Sequence, residues 1–146
     1  MQNVKVEVEF KDIRKNSKYL ELAKEIIARC FKEEKLNNNL YVSIILTNEE
    51  NIRKLNKQYR NIDKETDVLS FPMFEKGEDY ISECLGDIVI SIPKVKAQSK
   101  EYGHSFKREF SYMIAHGFYH LIGYDHENES EKKIMRKKEE KVVYEK

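Results

Sequence analysis

The chain has 146 residues, 36% of them charged, with a formal net charge of +1. That length suits one domain spanning residues 1 to 146 that buries its own core without disulfides or a structural metal. The charge balance excludes a protein that coats nucleic acid through overall basicity, so any binding of a polyanion must be local.

Val4, Val6, Val8 and Phe10 alternate as in a half-buried strand. Residues 17 to 34 follow as an amphipathic helix, with Leu20, Ala23, Ile26, Ile27, Cys30 and Phe31 on its inner side. Residues 41 to 46 read as the next strand, and Thr47 with Glu50 as a capping box for a helix through about Tyr59. Strands near residues 67 to 71 and 87 to 92 flank a mostly polar loop over residues 75 to 83. Pro93 is placed to begin another helix. A helix from Ser105, as N-cap, carries Phe106, Phe110, Met113, Ile114, Phe118 and Leu121 on one face. The tail from residue 127 mixes both charge signs and reads as an exposed helix. This order predicts an α+β fold, a small mixed sheet of about four strands packed by about five helices, with a metal site at the end of a helix.

Neither a signal-peptide pattern nor an apolar run near the ~20 residues needed to span a bilayer is present, which predicts a soluble, cytoplasmic protein. Cys30 and Cys84 have no CxxC partner and are expected to stay as thiols, each a small buried hydrophobe. Two stretches are locally basic: Arg53, Lys54, Lys57 and Arg60, and Lys94, Lys96, Lys100, Lys107 and Arg108. Ordinary solvated helix faces would look the same.

Three of the four histidines fall within HGFYHLIGYDH, residues 116 to 126. His116 and His120, four apart, share one helix face at the edge of the apolar stripe. Gly123 readily takes a left-handed conformation that ends a helix, which would carry Asp125 and His126 back toward that face. A continuing helix would instead leave His126 roughly 120° from His120. Three converging imidazoles make a site for zinc, and nickel or another divalent ion would suit them as well. The HxxxHxxGxxH spacing is also that of the extended zinc-protease motif, whose general base is a glutamate after the first histidine. Here that position is Gly117, so that proteolytic route lacks its proton acceptor.

HGFYHLIGYDH resembles the HGxLHLxGYDH signature of the YbeY family of bacterial metal-dependent endoribonucleases, departing from it at Tyr119. Leu55-Asn56, Tyr59-Arg60, Asp63 and the run Thr66 to Pro72 resemble the same family's LNxxYRxxDxxTDVLSFP block, and Gly86-Asp87-Ile88 its GDI strand. The resemblance covers residues 55 to 126 and implies a single-strand-specific endoribonuclease in ribosomal RNA maturation and ribosome quality control. It implies zinc on His116, His120 and His126, Arg60 as the functionally implicated arginine, and the 3′ end of small-subunit rRNA as substrate. Ribosomal RNA and the small subunit are then the expected partners, with neither DNA nor membrane among them.

On that reading the metal site activates water or stabilises phosphate, and Arg60 pairs with the phosphate. A surface ion pair of Arg60 with Asp63 is the plainer alternative. Asp125, Asp67 and Asp87 are open possibilities for the proton acceptor; Asp125 adjoins a ligand and could instead orient a histidine, Asp67 and Asp87 could be plain turn formers, and His104 is expected in a turn or helix cap. Two other classes fit the histidines: a ribosome-associated RNA-binding protein with a structural metal site, and a metalloprotease-like hydrolase lacking the usual glutamate.

Overall fold

Alternating and helical patterns in the sequence become, in a computed structural model, β1 (Lys5–Phe10), α1 (Ser17–Glu34), β2 (Tyr41–Thr47), α2 (Glu49–Arg60), β3 (Val68–Pro72), β4 (Cys84–Ser91), α3 (Ile92–Glu101), α4 (Phe106–Leu121) and α5 (Glu129–Val143). The structure describes residues 4–37, 39–64, 66–73, 84–124 and 128–144. The loop expected over residues 75 to 83 lies outside them. Strand order is β1-β2-β4-β3. β1 and β4 run parallel to β2, while β3 is antiparallel to β4, so the sheet is mixed as expected.

Strand alternation assigns each residue to a face. Ile44, Ile88 and Ile90 enter the main core with Phe31, Phe110 and Phe118, beneath α1 and α4. Leu69 and Val89 turn the other way and meet Ile52 of α2. The sheet is therefore covered on both faces, with α2 opposite the histidine helix.

Local capping explains where the helices start. Asn16 Oδ1 accepts from Lys18 N at 2.9 Å, and Ser105 Oγ accepts from Arg108 N at 3.1 Å, as the expected N-cap of α4. Ser91 caps α3, with Pro93 in its first turn as expected. The capping box expected at Thr47 is corrected: Asn48 is the N-cap of α2, its Oδ1 accepting from Asn51 N at 2.8 Å. Thr47 is committed to β2, where it pairs with Ser91 and its buried hydroxyl donates to Lys11 O at 2.8 Å.

The tail is also corrected in part. It is a helix, but Met135, Glu139 and Val142 are buried. Arg29 of α1 donates to the carbonyls of Val142 and Val143 at 3.0 and 3.4 Å, satisfying acceptors that the helix end leaves open. Lys138 Nζ reaches Glu34 Oε2 at 2.9 Å, and Tyr124 OH donates to Glu34 Oε1 at 3.3 Å. The end of α1 thus fixes both the exit from α4 and the middle of α5. Cys30 is buried and Cys84 half-buried, and no disulfide joins them.

α4 lies unusually close to the sheet at Gly117. A Cβ there would stand 2.7 Å from Ile88 Cγ2 and 3.3 Å from Ser70 Oγ, and Ser70 Oγ donates to Gly117 O at 3.2 Å. Gly117→Ala gains about 1 kcal/mol of helix propensity. Overpacking a core costs about 1–3 kcal/mol, and Ile88, fully buried in β4, has no room to give. Net destabilisation on the order of 1 kcal/mol is expected, read as a lower midpoint in urea unfolding; a more stable alanine variant would refute the close seat.

Candidate metal centre and adjoining cavity

α4 presents His116 and His120 at the border between core and solvent, both half-buried. Their rings meet edge to face with centroids 4.6 Å apart, and His120 Nε2 lies 3.1 Å from His116 Nε2. Two ligands at zinc–nitrogen distances in a tetrahedral site stand about 3.3 Å apart, so this separation fits two corners of such a site. With a proton on one of the two nitrogens it is instead a hydrogen bond.

The other nitrogen of His116 decides which atom is offered. Nδ1 is 2.7 Å from Glu139 Oε2. An ionised carboxylate can only accept, so in the neutral ring Nδ1 carries the proton and Nε2 turns its lone pair toward His120. Glu139 is itself buried, its side chain 6% exposed. A carboxylate that fixes the tautomer of a histidine in this way is the common support of a metal-ligating imidazole. The donor set and its support therefore fit a divalent ion.

Gly123 ends α4 as expected. Its φ is 102°, its N–H donates to His120 O at 3.2 Å, and Tyr124 N donates to Tyr119 O at 2.9 Å. Those are the two bonds of a Schellman motif, closed by the Tyr119 and Tyr124 rings 5.5 Å apart. Tyr119, where the sequence departs from the signature, is fully buried. Burial pushes its phenol strongly upward in pKa and keeps it neutral. His126 and Asp125 lie outside the described residues. Among the described residues no group of three His, Cys, Asp or Glu side chains forms a metal cluster.

Arg60 is exposed in the last turn of α2, across the sheet from α4. Neither an ion pair nor a hydrogen bond to another described residue engages its side chain. Asp63 pairs with Arg53 instead, Nε to Oδ1 at 2.7 Å, and that hydrogen bond holds the carboxyl below its ordinary pKa. Asp87 is half-buried within β4. Asp67 caps the start of β3, accepting from Val68 N at 2.8 Å.

Asp67 also borders a cavity of about 550 Å³ that reaches His116 and Glu139. Gln98, Tyr102 and His104 line it from α3 and the following turn, and Glu109, Tyr112 and Met113 from α4. His104 occupies the expected turn, its N–H donating to Ser99 O at 2.8 Å. On the other side of Glu139, which borders it too, a second hollow of about 370 Å³ is lined by His116, Lys132, Lys133, Met135 and Arg136. His116 thus stands between an acidic, aromatic cavity and a basic one. Glu139, Glu109 and Gln98 were not singled out by sequence. For Glu139 the signal was its place on the stripe Met135, Glu139, Val142, where an apolar residue would be ordinary.

A profile of the Endoribonuclease YbeY family matches residues 3–145. The chain is 49% identical over 134 residues to Endoribonuclease YbeY of Thermoanaerobacter sp. (strain X514), covering 84% of each chain. It is 42% identical over 137 residues to Endoribonuclease YbeY of Shouchella clausii (strain KSM-K16), covering 88% of this chain and 86% of that one. The solution structure of TM1509 from Thermotoga maritima superposes with a TM-score of 0.66 at 34% identity, over 93% of this chain and 86% of the other. With the family profile spanning nearly its whole length, the chain belongs to the YbeY family of endoribonucleases.

Proposed function

We propose that the chain is a metal-dependent endoribonuclease that cuts single-stranded RNA at the 3′ end of small-subunit ribosomal RNA, acting in the cytoplasm in rRNA maturation and ribosome quality control. The observation that carries the metal part is the bond between His116 Nδ1 and buried Glu139, with His116 Nε2 facing His120 Nε2 at 3.1 Å. His116, His120 and His126 would hold one zinc ion. Such an ion supplies Lewis-acid polarisation of a phosphoryl oxygen and activation of water.

The protein's own groups prepare the site for a phosphodiester. Glu139 holds the His116 ring in one tautomer, and Met135, Val142 and Arg29 hold Glu139 in place by docking its helix. Lys132, Lys133 and Arg136 border His116 on its basic side and raise the local concentration of RNA phosphate. Arg60, exposed on α2, would pair with a phosphate of the bound strand where negative charge gathers. Gly117 makes peptide hydrolysis the weaker reading, because a glutamate at that position would collide with Ile88.

Protein purified without an affinity tag is expected to carry about one divalent ion per chain by elemental analysis, and chelation should abolish cleavage of single-stranded RNA. His116→Ala should lose both metal and cleavage; undiminished cutting by a variant lacking all three histidines would sink the reading. Product ends add detail: a 5′-phosphate means water attacked, a 2′,3′-cyclic phosphate that the RNA's own hydroxyl did.

Glu139→Gln should weaken zinc affinity by about 10–100-fold in competition with a chelator, with the fold retained. Unchanged affinity would mean that Glu139 packs against His116 without supporting ligation. Arg60→Ala should lower the cleavage rate on the order of 10²-fold at unchanged metal content. If rate and salt dependence stay at wild-type values, Arg60 is an ordinary surface cation.

A further inference from the structure

The cavity between α3, α4 and α5 has a chemistry that the cleavage of a phosphodiester does not use. Among the described residues its lining carries three carboxylates, Asp67, Glu109 and Glu139, against one guanidinium, Arg136. A phosphate would be repelled from it at short range, in surroundings less screened than water. A neutral group rich in hydrogen-bond donors would be welcomed.

Four of the polar side chains are linked by short contacts. Glu109 is 5% exposed, with Oε1 3.4 Å from His104 Nδ1. That contact lacks hydrogen-bond geometry, and His104 Nδ1 is buried without a partner. With its amide nitrogen turned toward the acids, Gln98 donates to Glu109 Oε2 at 3.3 Å and Asp67 Oδ2 at 3.2 Å. Each carboxylate oxygen has two lone pairs, so acceptor sites remain after these bonds. Tyr102 stands exposed at the rim, while Tyr112 and Met113 supply flatter, less polar wall. Aromatic rims of this kind hold the faces of unstacked bases.

We propose that this cavity is a nucleobase subsite selecting guanine in a single-stranded RNA, with Glu109 reading the base edge and Tyr102 stacking on its face. The proposal rests on the endoribonuclease reading above and specifies which nucleotide its substrate places beside the cut. Guanine is the base whose Watson–Crick edge offers two adjacent donors, N1–H and the 2-amino group, which one carboxylate accepts as a pair. Uracil would present two carbonyl oxygens to carboxylates, and adenine and cytosine offer a single amino group there. About 550 Å³ accommodates a purine. His116 borders both this cavity and the basic hollow, so a base held here places its phosphate at the histidine pair and toward Lys132, Lys133 and Arg136.

Nucleosides contain no phosphodiester and test the subsite apart from cleavage. Guanosine, inosine, adenosine, cytidine and uridine would each be titrated into the full-length protein, following backbone amide resonances of Gln98, Tyr102 and His104. Guanosine should shift these signals and bind on the order of tenfold more tightly than the others, including inosine, which lacks the 2-amino group. Glu109→Gln should remove that preference, and Tyr102→Ala, at an exposed position, should weaken guanosine on the order of tenfold without unfolding risk. Equal shifts by all five nucleosides, or a preference unchanged in Glu109→Gln, would overturn the subsite. In parallel, a random-sequence single-stranded RNA would be digested. Cuts with no guanine enrichment overturn the subsite and leave the endoribonuclease reading standing; guanosine-selective shifts without any cutting support the subsite and overturn that reading.

Discussion

The close seat of α4 on the sheet at Gly117 is the constraint on which the rest of the molecule depends. With no side chain there, the helix backbone comes within reach of Ser70 on β3 and presses on Ile88 of β4. Phe110, Ile114 and Phe118 are then fully buried, each contributing about 1.5–3 kcal/mol relative to exposure. The rotation that buries them leaves His116 and His120 at the helix edge. It also means that a base or supporting acid cannot come from the residue after the first histidine. The supporting carboxylate has to be brought by another element, and α5 brings it.

That dependence gives the packing of α5 a chemical consequence. Glu139 lies 23 residues beyond His116, and its position is set by groups with no direct part in binding a metal: Met135 and Val142 in the core, Arg29 on the final carbonyls, Glu34 on Lys138. The same helix divides the surroundings of His116 by charge. Its Lys132 and Lys133 face one hollow and Asp67 and Glu109 the cavity on the other side, while Arg136 and Glu139 border both. A nucleotide is a neutral donor-bearing base joined to an anion, and that division matches its two halves.

Much of this was legible in the sequence wherever a local rule decided the structure. The four-residue spacing of His116 and His120 placed them on one face, and Gly123 ended α4 because φ of 102° suits glycine. Ser105, Pro93 and the inner stripe of α1 from Ala23 to Phe31 acted as their residue types lead one to expect, while Leu20 is only half-buried and outside the core. Thr47 did not, because β-pairing with Ser91 claimed it before it could cap a helix, and Asn48 served equally well. Glu139 was obscured by its neighbours: in a helix crowded with Glu, Lys and Arg, one carboxylate looks like any other until tertiary packing selects it. The cavity was illegible for a related reason, since Asp67, Gln98 and Glu109 come from three separate elements.

The most direct measurement of the metal-centre assignment is the tautomer of His116, read from long-range proton–nitrogen correlations of the imidazole rings in zinc-loaded protein. The assignment predicts a proton on Nδ1, shared with Glu139, and an unprotonated Nε2 whose nitrogen shift moves when zinc is removed. A proton on Nε2, with a spectrum indifferent to zinc, would contradict it.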